Sequence, residues 1–189
     1  MRVISGYAKG IQLESVPGKS TRPITDKVKE ALFNILGPSI VGKTMLDLFG
    51  GTGAVGIEAL SRGAEFVTFL DINYRAYQVI KQNLKLTALD EYAEVIKMDA
   101  FSYLRQPPTN QFDFIYIAPP QYKEMWSKSM ILIDENPGWL MKSGTIIVQI
   151  HPKEYDLTNN YTNFIEINQR NYGDTHLIFF EHLSDKIRQ

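Results

Sequence analysis

The pattern of apolar and polar positions changes along the chain, from short irregular stretches to a regular alternation of strands and helices. Residues 1–23 contain two short apolar stretches among glycines and prolines, which predicts a hairpin and a loop. Residues 25–36 carry apolar side chains at helical spacing after a Thr-Asp start, and Gly37-Pro38 ends the pattern. The sequence therefore predicts a hairpin followed by an amphipathic helix.

Beyond residue 43, apolar runs of strand length alternate with segments of helical spacing. Such alternation predicts a parallel, doubly wound sheet, and two late apolar runs joined by Asn171-Tyr-Gly-Asp174 predict an antiparallel ending. The predicted strands are 44–49, 66–71, 93–98, 112–117 and 144–150, with the antiparallel pair at 164–168 and 175–181. The predicted helices are 54–61, 74–87, 100–105 and 124–134.

Length and composition narrow the class of protein. A chain of 189 residues with 44% hydrophobic content fits one domain over 1–189, with a basic hairpin and helix at 1–43 and the sheet at 44–189. The sequence has neither an apolar run of 18 residues nor a signal-peptide layout, so we expect a soluble, cytoplasmic protein without a membrane partner. No apolar stripe remains beyond what the sheet and helices require, which favours a monomer.

The residue types exclude several kinds of chemistry. The chain has no cysteine, so disulfides, thiolate nucleophiles and cysteine-ligated metals are excluded. Its three histidines, His151, His176 and His182, show no metal-ligand spacing, and we expect no metal site.

Charge is distributed unevenly although the net charge is only −1. Residues 1–43 hold seven Lys and Arg against three acidic residues, a balance of +4, which leaves −5 on residues 44–189. A basic amino-terminal element on an acidic body is compatible with an arm that binds phosphate. On charge alone, a merely solvated face explains the balance equally well.

The segment Asp47-Leu-Phe-Gly-Gly-Thr-Gly53 lies between a predicted strand and a predicted helix, the junction at which open α/β sheets bind nucleotide-like ligands. Gly51-x-Gly53-x-x-Gly56 also spells the dinucleotide fingerprint. Asp47 argues against a pyrophosphate, because its carboxylate would repel the phosphates at short range. The same carboxylate suits a cationic ammonium, such as that of S-adenosylmethionine.

Two further acidic residues follow predicted strands. Asp71 closes the second strand, where folds of this type place an acid that accepts both ribose hydroxyls; alternatively, it simply begins the next helix. Asp99 follows the third strand and, with Ala100, suits the adenine amino group and ring nitrogen, while an N-cap role is equally open.

The fourth predicted strand ends in Ala118-Pro-Pro-Gln-Tyr122. Two prolines fix an extended turn without amide donors, which leaves its carbonyl oxygens free to accept hydrogen bonds from an amine. Tyr122 is a candidate to stack on an extruded base, although packing beneath the cofactor is an equal alternative.

At this point the sequence resembles a known family. The segments that carry the resemblance are Arg2-Val-Ile-Ser-Gly6, Thr21-Arg-Pro-Ile-Thr-Asp-Lys-Val-Lys-Glu-Ala-Leu-Phe-Asn34, Asp47–Gly53, Glu58-Ala-Leu-Ser-Arg-Gly-Ala64 and Tyr172-Gly-Asp-Thr175. They are similar to the RsmD-type methyltransferases, which transfer a methyl group from S-adenosylmethionine to the N2 amino group of a guanine in small-subunit (16S) ribosomal RNA. The resemblance implies a Rossmann-like, seven-stranded methyltransferase sheet, and ribosomal RNA or a partly assembled small subunit as partner.

One motif departs from the family. Its usual Asp-Pro-Pro followed by an aromatic residue is Ala118-Pro-Pro-Gln here, with Tyr122 one place late, a form that resembles the cyanobacterial and plastid branch. Without the aspartate, the Pro119 carbonyl and the Gln121 amide oxygen remain as candidate acceptors for the amine. The altered motif leaves open a different acceptor, adenine N6 or protein glutamine, or an RNA-binding assembly factor with weak or lost catalysis.

Residue roles follow from these arguments and the resemblance. The predicted catalytic residues are Ala118, Pro119, Pro120, Gln121 and Tyr122. The predicted cofactor-binding residues are Asp47, Phe49, Gly50, Gly51, Thr52, Gly53, Asp71, Ile72, Asp99 and Ala100. Arg22, Lys27 and Lys29 are predicted to contact RNA phosphate or to close over the cofactor.

Overall fold

The computed structural model describes residues 1–17, 24–121, 124–156 and 160–183. The α-helices are α1 (Asp26–Leu36), α2 (Ala54–Ser61), α3 (Tyr74–Leu86), α4 (Ala100–Leu104) and α5 (Met125–Glu135). The strands are β1 (Thr44–Asp47), β2 (Phe66–Leu70), β3 (Ala93–Ile96), β4 (Phe112–Ile117), β5 (Leu140–Ile150), β6 (Phe164–Tyr172) and β7 (Thr175–His182). In this described part of the chain, no helix is long and apolar enough to cross a membrane.

The chain forms two compact units, Met1–Asp99 and Ala100–Gln189. The first contributes three strands in the order β3-β2-β1, all parallel. In β2, the central strand of the three, Val67, Phe69 and Leu70 are fully buried, whereas β3 lies at the edge and exposes Glu94. Burial on both faces is what selects near-continuous apolar runs in parallel strands.

The second unit contributes four strands in the order β4-β5-β7-β6. β4 and β5 are parallel, whereas β7 runs antiparallel to both β5 and β6. The predicted α/β class, with a seven-stranded sheet that is parallel except at its end, is therefore confirmed. The predicted arrangement as a single domain, with the basic element at 1–43, stays a prediction.

Most predicted elements agree with the structure to within two residues, whereas β5 and β6 are each four residues longer than predicted. β6 ends at Tyr172, four residues after its predicted end, and the difference in β5 is at its start. β5 begins at Leu140, four residues before the predicted start. Its register against β4 shifts between Phe112 and Phe114, and residues 141–143 are exposed there. A bulge of this kind interrupts the alternation of apolar and polar positions, so the sequence pattern begins only at Gly144.

The predicted amino-terminal hairpin is present as a short paired segment. Arg2 and Gln12 form an antiparallel bridge, the Val3 amide donates to the Ile11 carbonyl at 3.0 Å, and the Leu13 amide donates to the Met1 carbonyl at 2.9 Å. Beyond these bonds the hairpin has little sheet of its own, and its position depends on α2.

Glu58 on α2 joins the hairpin to the rest of the first unit. Its side chain is fully buried, and its two oxygens accept hydrogen bonds from the amides of Ile4 at 2.8 Å and Ser5 at 3.0 Å. The Arg62 Nε atom donates to the same carboxylate at 2.7 Å, and the Lys29 ammonium lies 3.3 Å away. A buried carboxylate with this many donors is compensated for its lost hydration.

Lys29 is wrong as a predicted RNA or cofactor contact. Its side chain is fully buried, pairs with Glu58 and donates from Nζ to the Arg2 carbonyl at 2.6 Å. Burial lowers the pKa of its ammonium, and Glu58 opposes that shift. Lys27, on the same helix, is exposed, so its predicted RNA contact stays a prediction; Arg22 lies outside the described residues.

Replacing Glu58 with Ala should lower the free energy of unfolding by about 3–5 kcal/mol, because Lys29 would remain buried without its partner. In a Lys29→Met background, the same replacement should cost distinctly less. Urea denaturation of the four proteins measures both differences.

The matched control is Glu65→Ala, which removes an exposed glutamate and should change the unfolding free energy by less than about 0.5 kcal/mol. An equal cost of Glu58→Ala with and without Lys29 would show that the ion pair does not stabilise this unit.

Candidate functional site

The glycine turn after β1 is built from backbone hydrogen bonds. The Gly50 amide donates to the Leu70 carbonyl at 2.7 Å, and the Gly53 amide donates to the Gly50 carbonyl at 2.7 Å. Gly53 has a φ of +77° and is the residue from which α2 begins. A side chain at that φ would be strained, so the turn requires glycine there.

Gly56, the third glycine of the dinucleotide-like spacing, has a packing role. A Cβ atom at this position would lie 2.3 Å from the Phe69 ring and 2.8 Å from a Val67 methyl group, both on β2. The glycine therefore lets α2 lie close against β2. This explains the fingerprint spacing without any phosphate.

Asp47, the last residue of β1, is a buried carboxylate with one unsatisfied oxygen. It is 1% exposed, and its Oδ1 atom has no hydrogen-bond partner. Burial raises its pKa to about 7, repulsion from Asp71 adds to the rise, and the amides of Gly56 and Phe49 oppose it. A buried acceptor without a donor is costly in a folded protein. The geometry therefore fits a ligand that brings a hydrogen-bond donor or a positive charge to this oxygen.

Asp71 follows β2 and holds the glycine turn. Its Oδ2 atom accepts from the Gly51 amide at 2.9 Å, and its Oδ1 atom accepts from the Asn73 amide at 2.8 Å. Burial raises the pKa of this carboxyl, and the two amides oppose the rise. A carboxylate oxygen can accept two hydrogen bonds, so each oxygen of Asp71 can accept a further one from a ligand hydroxyl.

The alternative in which Asp71 begins the next helix is wrong. Asn73 is the N-cap of α3, and its side chain accepts from the Arg75 amide at 2.9 Å. Between the two lies Ile72, which is 68% exposed and offers an apolar surface beside the carboxylate. Its predicted contact with the cofactor stays a prediction.

Asn83 is a positioning residue that the sequence analysis did not single out. It is fully buried on α3, and its Nδ2 atom donates to the Thr52 carbonyl at 2.9 Å and to the Glu14 carbonyl at 3.1 Å. Its Oδ1 atom accepts from the Glu14 amide at 2.7 Å. One amide side chain therefore ties the glycine turn to the amino-terminal segment. The signal in the sequence is an asparagine among the apolar positions Ile80 and Leu84.

Asp99 and Ala100 lie at the boundary of the two units. Asp99 is half-buried and directly precedes α4, and Ala100 is the buried first residue of that helix. This placement agrees with an N-cap role and with contact to a base, so both interpretations of Asp99 remain open.

The Ala118-Pro-Pro-Gln121 segment belongs to the second unit. It follows β4 directly and is half-buried. The end of β4 pairs with β5 in parallel, and the Tyr116 hydroxyl also donates to Gln149 Oε1 of β5 at 2.5 Å. Ala118 has no polar side-chain atom and the prolines have no N–H, so the polar groups of residues 118–120 are three carbonyl oxygens and the Ala118 amide. Tyr122 lies outside the described residues.

Within the described ranges, no group of three or more His, Cys, Asp or Glu side chains is arranged to hold a metal ion.

The structure brings Asp47, the glycine turn and Asp71 together in the first unit. Together they form a small set of backbone amides and two carboxylates, which suits a ligand with both hydroxyl and ammonium groups.

Known proteins are similar to this chain over nearly its whole length. Residues 1–181 match a family described as conserved hypothetical protein 95. YlbH of Bacillus subtilis, provisionally named an rRNA methyltransferase, is 39% identical, with 96% of this chain and 98% of that protein covered. Ribosomal RNA small subunit methyltransferase D of Haemophilus influenzae is 37% identical, with 79% of this chain and 78% of that protein covered.

A solved structure agrees with the sequence relatives. The Escherichia coli protein yhhF, provisionally named a methyltransferase, superposes with a TM-score of 0.85 at 30% identity, covering 96% of this chain and 97% of that one. The family match, the identities and the fold lead to one conclusion: the chain belongs to the RsmD family, which is described as conserved hypothetical protein 95.

Proposed function

We propose that this chain transfers a methyl group from S-adenosylmethionine to the N2 amino group of a guanine in small-subunit ribosomal RNA. The unpartnered Oδ1 atom of Asp47 is the observation that carries the cofactor assignment. The methionine part of S-adenosylmethionine has an ammonium group that would supply the missing donor. The methyltransferase D relative supports ribosomal RNA as the substrate.

Four contacts would hold the cofactor, and the residues of the first unit contribute to each of them. Asp47 would bind the ammonium group, and Asp71 would accept the ribose hydroxyls through lone pairs that its bonds to Gly51 and Asn73 leave available. Ile72 would cover one face of the adenine ring, since its side chain is 68% exposed beside Asp71. Asp99 and Ala100 would contact the adenine edge.

The second unit would hold the amine. When bound, the cofactor supplies an electrophilic methyl group on a sulfonium. The Pro119 carbonyl would accept a hydrogen bond from the guanine amine and so orient its lone pair for in-line attack, and Gln121 offers an amide oxygen nearby in the chain. The transfer would form a bond between the amine nitrogen and the methyl carbon and break the methyl–sulfur bond, and the proton lost from the amine would pass to water.

Binding of S-adenosylmethionine should strengthen as pH rises through about 7. The raised pKa of Asp47 leaves its carboxyl partly protonated near neutral pH, whereas the cationic ligand favours the ionised form. Above about pH 8 the ligand's own α-amino group loses its proton, so affinity should fall again. Titration calorimetry between about pH 6 and about pH 9 measures this profile.

Asp47→Asn should bind the cofactor more weakly and lose the rising limb of the pH profile. Asp90→Asn, which changes an exposed aspartate, is the matched control and should retain the wild-type profile. A rising limb that persists in Asp47→Asn would show that another group titrates.

Ala118→Asp should raise the rate of methyl transfer by about tenfold or more. The amine would then have a charged acceptor, the new carboxylate, in addition to the Pro119 carbonyl. Ala118→Asn, which adds a neutral acceptor of the same shape, should raise the rate less. Single-turnover transfer of labelled methyl groups to small ribosomal particles measures both. Rates at or below that of the unaltered chain in both variants would argue against an amine held at this position.

The same labelling experiment tests the proposed function. Mapping of the labelled nucleoside should place the methyl group on guanine N2. Label on adenine or on protein would show that the acceptor is a different amine and would overturn the proposed substrate. The absence of Asp at 118 favours one alternative, an assembly factor that binds RNA without transfer; cofactor binding without any label, unchanged by Ala118→Asp, would establish it.

A further inference from the structure

The exposed side of α3, together with Lys97 directly after β3, carries aromatic and basic side chains that the proposed cofactor site does not use. Tyr74 and Tyr77 lie one turn apart with their rings stacked, 6.2 Å between centroids and 24° between planes. The Lys97 ammonium lies 5.5 Å from the centre of the Tyr74 ring, and the Lys81 ammonium lies 5.3 Å from that of Tyr77. These four residues are called the tyrosine–lysine face.

Most of the face is open to solvent, and Tyr77 is half-buried. Tyr74 is 60% exposed, and both lysines are exposed. The opposite side of α3 makes the packing contacts, where Ala76 and Val79 form a buried cluster with Val16. The Tyr74 ring is therefore not required to fill the core of the first unit, and part of the Tyr77 ring is available to solvent.

The charge on α3 has one sign. The helix contains three basic residues, Arg75, Lys81 and Lys85, and no acidic residue, whereas residues 44–189 as a whole carry −5. A helix face that only meets solvent commonly mixes both signs in i,i+4 pairs. A basic face on an acidic body is complementary to a polyanion.

The combination of rings and ammonium groups matches single-stranded nucleic acid. Exposed aromatic rings provide planes on which bases stack, and neighbouring lysines neutralise the phosphates between them. The lysine stems are flexible, so an ammonium that covers a ring in the free protein can move to a phosphate when a base takes its place.

We propose that the tyrosine–lysine face binds an unpaired stretch of small-subunit ribosomal RNA, with bases on Tyr74 and Tyr77 and phosphates on Lys81 and Lys97. This inference rests on the proposed function, since it takes the substrate to be RNA. The face begins three residues after Asp71, whose carboxylate holds the glycine turn. RNA bound there contacts the first unit beside its proposed cofactor residues, and it positions the substrate without selecting the methylated base.

Two paired variants test the face: Tyr74→Ala with Lys97→Ser, and Tyr77→Ala with Lys81→Ser. Each should weaken binding of protein-free small-subunit RNA by about tenfold or more, because one stacking contact and one phosphate contact are lost. The slope of log K against log salt should decrease in magnitude by about 1. Filter binding at several salt concentrations measures both quantities.

The matched control is Tyr92→Ala with Lys142→Ser, which also removes one exposed tyrosine and one exposed lysine. Tyr92 directly precedes β3, and Lys142 lies near the start of β5. The control should bind RNA within about twofold of the unaltered chain. Calorimetric titration with S-adenosylmethionine should give unchanged affinity for all three variants, which shows that each is folded.

The outcomes separate this inference from the proposed function. If the unaltered chain methylates guanine and both face variants bind RNA like the control, the face is not the contact and the proposed function stands. If the face variants bind weakly but no guanine is labelled, the face stands and the methyl transfer is overturned. If the unaltered chain neither binds nor labels small-subunit RNA, both are overturned.

Discussion

The first unit depends on the carboxylate of Glu58. It is buried inside the protein, and it accepts hydrogen bonds from two backbone amides of the amino-terminal segment and from Arg62, while pairing with Lys29 of α1. Hydrogen bonds to a buried charge are stronger than neutral ones and also more costly to lose. A segment with little sheet of its own is held in place by this one group.

Polar side chains also bind backbone groups close to the proposed cofactor residues. Asn83 makes three hydrogen bonds that connect Thr52 of the glycine turn with Glu14, and Asp71 adds a fourth tie through the Gly51 amide. Residues that only pack would leave these backbone groups without partners. Buried polar side chains therefore set the shape of the turn, and the glycines allow it.

The sequence predicts the elements well because the core of each unit is apolar in the expected periods. The α2 helix is predicted with its observed bounds, since Gly53 and Arg62-Gly63 frame it. The bulge in β5 could not be predicted, because its three exposed residues follow no period. The predicted RNA or cofactor contact of Lys29 was wrong, because a count of basic residues does not show which of them pairs with the buried Glu58. The closeness of Asp47 and Asp71 could be predicted because the carboxyl ends of neighbouring parallel strands meet at one edge of the sheet, and their cofactor roles stay predictions.

The unpartnered oxygen of Asp47 has a consequence for turnover. The ammonium group that it would bind is the same before and after the methyl group leaves, so this contact holds substrate and product cofactor equally. Such uniform binding adds affinity without lowering the barrier to reaction. The contact with Asp47 would therefore contribute equally to the affinity for the cofactor before and after methyl transfer. Release of the demethylated product would depend on loss of the sulfonium charge, which the reaction removes.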